Sequence, residues 1–106
     1  MAYKQLKDIN SVDLETSFTT TSGATSDWYG MPNRLSYAAL QLIPSGTARV
    51  EVTLDRDGAM QGTAVPIAWS HGDVTEVKDE LVRGAAAIRV VSTSGDAVLH
   101  IRGTRG

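Results

Sequence analysis

The stretch Ala48-Arg49-Val50-Glu51-Val52-Thr53-Leu54-Asp55 alternates apolar and polar side chains along its whole length. Successive side chains of a strand point to opposite faces, so Ala48, Val50, Val52 and Leu54 share one side and Arg49, Glu51, Thr53 and Asp55 the other. A helix would scatter the same apolar residues around its circumference. The pattern therefore predicts a strand with one buried and one wet face. It runs into Asp55-Arg56-Asp57-Gly58, and Asp-Gly after an alternating run signals a hairpin turn. The loop is expected to continue from Ala59 to Gly62.

The segments around this strand read the same way. On its N-terminal side, Leu35 to Ile43 is apolar on both faces, which predicts a strand covered from both sides, and Pro44-Ser45-Gly46-Thr47 supplies a turn. On its C-terminal side, Ala64 to Trp69 alternates again, with Val65, Ile67 and Trp69 on one face. Pro66 has no amide proton and belongs near a sheet edge. Val74 to Val82 is ambiguous. Val74, Val77 and Leu81 fit a helical stripe that Asp73 could cap, while Thr75 and Val77 favour a short strand or irregular segment. Past Gly84, Ala86 to Ser92 and Ala97 to Arg102 are expected to form a closing hairpin around Thr93-Ser94-Gly95-Asp96.

The N-terminal third is less regular. Residues 1–12 are expected to form an arm or a short edge strand, with residues 13–106 making the domain. Leu14 to Thr21 is Thr-rich and extended. Thr21 to Arg34 is the longest stretch of loop formers, yet it holds Trp28, Tyr29 and Met31. Those side chains either close an open end of the core or stand exposed as contact anchors; a sugar-binding platform is a narrower form of the second reading. The fold expected from all this is an all-β antiparallel β-sandwich, jelly-roll or Ig-like. It has about seven strands and an extended N-terminal arm.

Composition bounds the function. At 106 residues the chain is one domain, with room for one core. It has no cysteine, which excludes disulfides, thiolate metal sites and cysteine nucleophiles. A net charge of −2 gives no strong field to draw nucleic acid or an anionic membrane. The residues after Met1 have no apolar core of a leader, and no run approaches the roughly 20 apolar residues needed to span a bilayer. Catalytic constellations are not evident. His71 and His100 are far apart in sequence, and no further ligands stand near them at metal-binding spacing. Asp55, Asp57 and Gly58 resemble a fragment of a calcium loop without its closing Glu. No serine sits in a Gly-x-Ser-x-Gly elbow. Asp79 and Glu80 adjoin Lys78 on what reads as a solvated face, and Arg83, Arg89, Arg102 and Arg105 lack the interleaved aromatics of a single-strand nucleic-acid platform. The expectation is a non-enzyme without cofactors.

Three stretches carry a resemblance: Arg49 to Gly58, Val65-Pro66-Ile67-Ala68-Trp69, and Ala87 to Gly103, the last with an Ile-Arg-Val, Ser-Gly-Asp, Val-x-Ile pattern. Over roughly residues 48–103 the chain resembles small β-sandwich structural proteins of tailed bacteriophages. The resemblance implies a virion part made in the host cytoplasm, such as a capsid decoration (cement) protein or a head–tail accessory protein. Its partners would be the major capsid protein or other virion proteins, and copies of itself. The side chains expected at such interfaces are Trp28, Tyr29, Met31, Tyr37, Leu40 and Leu42. The competing expectation is a carbohydrate-binding or adhesion module using Trp28, Tyr29 and Trp69.

Overall fold

The alternation at Ala48–Leu54 is realised as strand β5, Thr47–Thr53, with Ala48 and Val50 fully buried on the inner face and Arg49 and Glu51 on the outer. The computed structural model describes residues 3–5, 13–31, 37–69, 71–83 and 85–104. Ahead of β5 lie β1 (Tyr3–Gln5), β2 (Asp13–Thr20), β3 (Trp28–Gly30) and β4 (Tyr37–Pro44). After it come α1 (Arg56–Gln61), β6 (Ile67–Ala68), β7 (Lys78–Arg83), β8 (Ala87–Ser94) and β9 (Ala97–Thr104).

The strands form two sheets, ordered β1-β3-β8-β5-β6 and β2-β9-β4-β7. Every pairing is antiparallel except that of β1 with β3. The pairs β2 with β9, β3 with β8, β4 with β7 and β5 with β6 nest inside one another in sequence. One long antiparallel ribbon therefore wraps around the core, which is the jelly roll rather than the immunoglobulin topology. Leu40, Leu42, Leu99 and Ile101 of one sheet meet Val50, Ile88 and Val90 of the other, all at most 1% exposed. Burial of each such side chain stabilises the fold by about 1.5–3 kcal/mol.

Three expectations are corrected. First, β8 and β9 are not a hairpin: β8 pairs with β3 and β5, and β9 pairs with β2 and β4. The connection at Gly95-Asp96 crosses between sheets. Sheets stack about 10 Å apart and consecutive Cα atoms lie 3.8 Å apart, so three Cα steps just span the gap. Pro44–Thr47 makes the same crossing from β4 to β5, and the two crossings pack on each other. The Ser45 amide and hydroxyl both donate to Asp96 O, and the Thr47 amide donates to Ser94 Oγ. A Cβ on Gly46 would lie 2.2 Å from Ser94 O, so only glycine fits there.

Second, Asp55–Gly62 is not a hairpin loop. Asp55 caps α1, its carboxylate accepting from the Gly58 amide at 2.9 Å, and Gly62 ends the helix at φ 80°. Asp-x-x-Gly serves a helix N-cap as well as a turn. Third, Thr21–Arg34 is not wholly irregular, because Trp28–Gly30 is strand β3. Two open questions are also resolved: Lys78–Arg83 is a strand, and Tyr3–Gln5 an edge strand. The rest of residues 1–12, together with Leu35 and Gly84, lies outside the described residues.

Candidate interface

The side chains expected at an interface divide between the two sides of the sheets. Trp28 (2% exposed), Met31, Leu40 and Leu42 are buried within this chain. Leu40 and Leu42 point into the core, while the outward neighbours Ala39 and Gln41 are exposed. The middle of β4 is thus one-sided, because its outward positions Ala39 and Gln41 are small or polar. Tyr29 faces inward and half-buried, stacked on Phe18 with ring centroids 3.9 Å apart, where it closes the gap between β3 and the edge strand β2 of the other sheet. Burial, and then the charge of Asp27, push its hydroxyl pKa above the usual value. Tyr37 lies in β4 opposite Thr104, and its side chain is outside the described set. Trp69 is buried, its indole N–H donating to Gly72 O at 2.8 Å. An exposed aromatic platform built from Trp28, Tyr29 and Trp69 is therefore not available, and the loop aromatics serve to seal the fold.

Trp28 belongs to a second, smaller cluster on the outer face of its sheet. It packs with Ala59 of α1 and with Ala87, and Tyr3 and Ala64 add to the cover. Arg56 of α1 reaches Met31 O at 2.7 Å and so ties the helix down. Beside this cluster the row continues across the strands. Arg89 stacks over the Trp28 ring at 4.4 Å and donates to Glu51 at 2.8 Å. Arg49 donates to the other Glu51 oxygen at 2.9 Å and also to Asp73 at 3.3 Å. The Glu51 hydrogen bond, with help from Asp73 and against burial, holds the Arg49 guanidinium above its ordinary pKa. Glu51 is only 6% exposed, and both its oxygens are taken by guanidinium groups. Such a carboxylate ties β5 to β8 and is not free to act as a base.

Surface available to a partner lies elsewhere. Leu54 (69% exposed), Met60 (48%), Val65 (77%) and Ile67 (50%) all fall between β5 and the end of β6. Ile67 pairs with Val52, and extending that register by two residues sets Val65 across from Leu54. Leu54, Val65 and Ile67 are alternation positions that continue the core-facing side of β5, but they run past what the second sheet covers, and Met60 lies on α1. The sequence sets Leu54 on the buried face of its strand, Val65 and Ile67 on one face with Trp69, and Met60 in a loop; the available signal was Pro66, which marks a short edge with nothing beyond it. The outer face of the β2-β9-β4-β7 sheet is different again, carrying exposed Ser17, Gln41, Asp79, His100 and Arg102 around an open hollow of about 610 Å³. Among the described residues no group of three or more His, Asp or Glu side chains converges as a metal site.

No family model matches the chain, and no curated protein matches it significantly. Solved structures do match. An oxalate oxidase in complex with glycolate has a TM-score of 0.58 at 7% identity, over 90% of this chain and 43% of that one. The Schizosaccharomyces pombe Cnp3 cupin domain has 0.56 at 10%, over 95% and 58%. A Bacillus endospore appendage, from a family of disulfide-linked pili, has 0.51 at 20%, over 90% and 88%. What they share with this chain is the jelly roll. The chain spans less than half the length of the oxalate oxidase, and identities this low speak for fold alone.

Proposed function

We propose that the chain is a non-enzymatic assembly subunit: a capsid decoration protein of a tailed bacteriophage that binds and stabilises the shell as an oligomer. The virion setting rests on the resemblance over residues 48–103. The observation that carries assembly is the aliphatic corner at Leu54, Val65 and Ile67. Isolated exposed apolar residues are ordinary, but several gathered at one sheet corner favour a covered surface. A stable interface needs about 800 Å² from each partner, so this corner forms its centre and polar neighbours its rim. The Bacillus appendage, a pilus subunit of almost the same length, supports the idea that a jelly roll this small can serve as a repeating structural unit. Synthesis in the host cytoplasm and incorporation into the particle follow from the same reading.

Sedimentation velocity over a range of concentrations tests the corner. The wild-type chain is expected to self-associate, and Ile67→Lys to weaken association by roughly 10- to 100-fold, the worth of one buried aliphatic side chain. Circular dichroism should be unchanged, because the site is solvent-exposed in the monomer. Imaging of purified particles should then find the wild-type chain at symmetric positions on the shell. A chain that stays monomeric and ignores empty capsids refutes the proposal.

A further inference from the structure

The outer faces of the two sheets treat their polar groups differently. On the β5-β8 side, Arg49, Glu51, Asp73 and Arg89 satisfy one another. On the other sheet, register places Ser17, His100, Gln41 and Asp79 in one row across four strands. Arg102 and Ala39 form the adjoining row. All six residues are exposed, and among the described residues the side chains of Ser17, Gln41, His100 and Arg102 have no hydrogen-bond partner. Ala39 is the reason the face is hollow: its methyl leaves a floor between Gln41 and Arg102, and the six line the depression of about 610 Å³.

We infer that this hollow binds a segment of a neutral polysaccharide chain. Strands lie about 4.8 Å apart, so the four-residue row offers donors and acceptors over about 14 Å. A hydroxyl, an imidazole, an amide and a carboxylate in succession match a ligand whose groups both donate and accept, which is the chemistry of sugar hydroxyls. Arg102 stands with Asp79 in the neighbouring row and with Glu15 opposite it in register, so no net positive charge selects a polyanion such as nucleic acid. An extended peptide would instead add alongside a strand edge and seat apolar side chains, whereas this row runs across the strands and presents polar ones. The open shape suits a chain passing across the sheet better than an enclosed small molecule. This inference does not depend on the assembly proposal, and it uses a different surface.

The test is a titration of isotope-labelled protein with hexamers of β-1,4-glucose, α-1,4-glucose, β-1,4-xylose and β-1,4-N-acetylglucosamine, followed by backbone amide shifts. At least one hexamer is expected to move the amides of Ser17, Gln41, Asp79 and His100 while leaving those of β5 and β8 in place. Gln41→Ala and Asp79→Ala should each weaken binding about two- to tenfold, the range for one hydrogen bond lost. Ala39→Arg fills the floor of an exposed site, so it should abolish binding with an unchanged circular dichroism spectrum. Ile67→Lys, which tests the assembly corner, should bind the hexamer as the wild type does. No shift with any hexamer at 10 mM (about the weakest affinity of interest), shifts that map to another face, or full binding by Ala39→Arg would each overturn the inference. So would occupation of the face by a second copy of the chain or by a capsid protein.

Discussion

Replacing Trp28 with alanine separates a sealing role from a docking role. Trp28 is 2% exposed, packs against Ala59 and Ala87, and lies under the Arg89 guanidinium at 4.4 Å. Truncating a buried tryptophan costs about 3–5 kcal/mol, and the lost cation–π contact, with Arg89 partly exposed, adds about 0.5–1 kcal/mol. A domain of 106 residues is stable by roughly 5–15 kcal/mol in total. The substitution therefore removes about a quarter of the stability or more. Urea unfolding followed by far-UV circular dichroism reads this directly. With a slope of roughly 2 kcal/mol per molar, the midpoint should fall by about 2 M with the slope unchanged. Trp28→Phe keeps a ring under Arg89 and over Ala59, so it should lose much less. If Trp28→Ala left the midpoint in place while abolishing self-association, Trp28 would be an interface anchor after all, and the satellite core beneath α1 would be misread.

Three further outcomes follow from the same geometry. Gly46→Ala places a Cβ 2.2 Å from Ser94 O, so it should lower stability by about 1–3 kcal/mol by thermal or urea unfolding, whereas alanine at Gly72, whose Cβ position is open, should cost only the strain of its positive φ. Glu51→Gln leaves Arg49 and Arg89 without their shared carboxylate. Because both arginines keep partial solvent access, the loss should be about 1–3 kcal/mol rather than the full cost of a broken buried pair, and salt should reduce the difference between the two proteins. Tyr29 has a folded-state pKa raised above the ordinary value of 10.0 by burial and by Asp27, so the unfolded chain ionises first as pH rises. Its contribution is therefore intact below about pH 10 and is lost above it. Tyr29→Phe should flatten that alkaline decline in a pH series of unfolding midpoints.

Much of this architecture can be read from the residues, because period-two patterning is a local property. Ala48, Val50 and Val52 declare their faces, and so do Leu99 and Ile101. What cannot be read locally is which strand pairs with which. Ser94-Gly95-Asp96 ends β8 and starts β9 with the same residues that a hairpin would use. Only the pairing of β8 with β3 and β5, and of β9 with β2 and β4, shows that the chain changes sheets there. The helix α1 escaped notice for a similar reason, since Asp55-Arg56-Asp57-Gly58 satisfies both a cap and a turn. At the candidate interface, apolar character was legible and exposure was not. Trp28 sits in a Gly- and Ser-rich context that suggests a solvent loop, yet Ala59 of α1, about 30 residues later, covers it. Leu54 and Ile67 belong to alternating runs that suggest a core, yet the opposite sheet stops short of them.

The two surfaces differ in what they leave unsatisfied, and this makes the two functional readings separable. The Leu54–Ile67 corner has spare apolar area, which water disfavours and another protein surface can cover. The β2-β9-β4-β7 face has spare hydrogen-bonding capacity, which water already satisfies well. A ligand gains there only by matching several groups at once, so a flat protein surface gains little and a polyhydroxylated chain gains more. A subunit fixed to a particle through its corner keeps the hollow facing away from its own second sheet, and many copies on one shell would turn a weak single site into a strong one through avidity. Substitutions at Ile67 and Ala39 should accordingly add, each changing one activity and leaving the other alone. A strong coupling between them would mean that glycan binding and assembly compete for one surface.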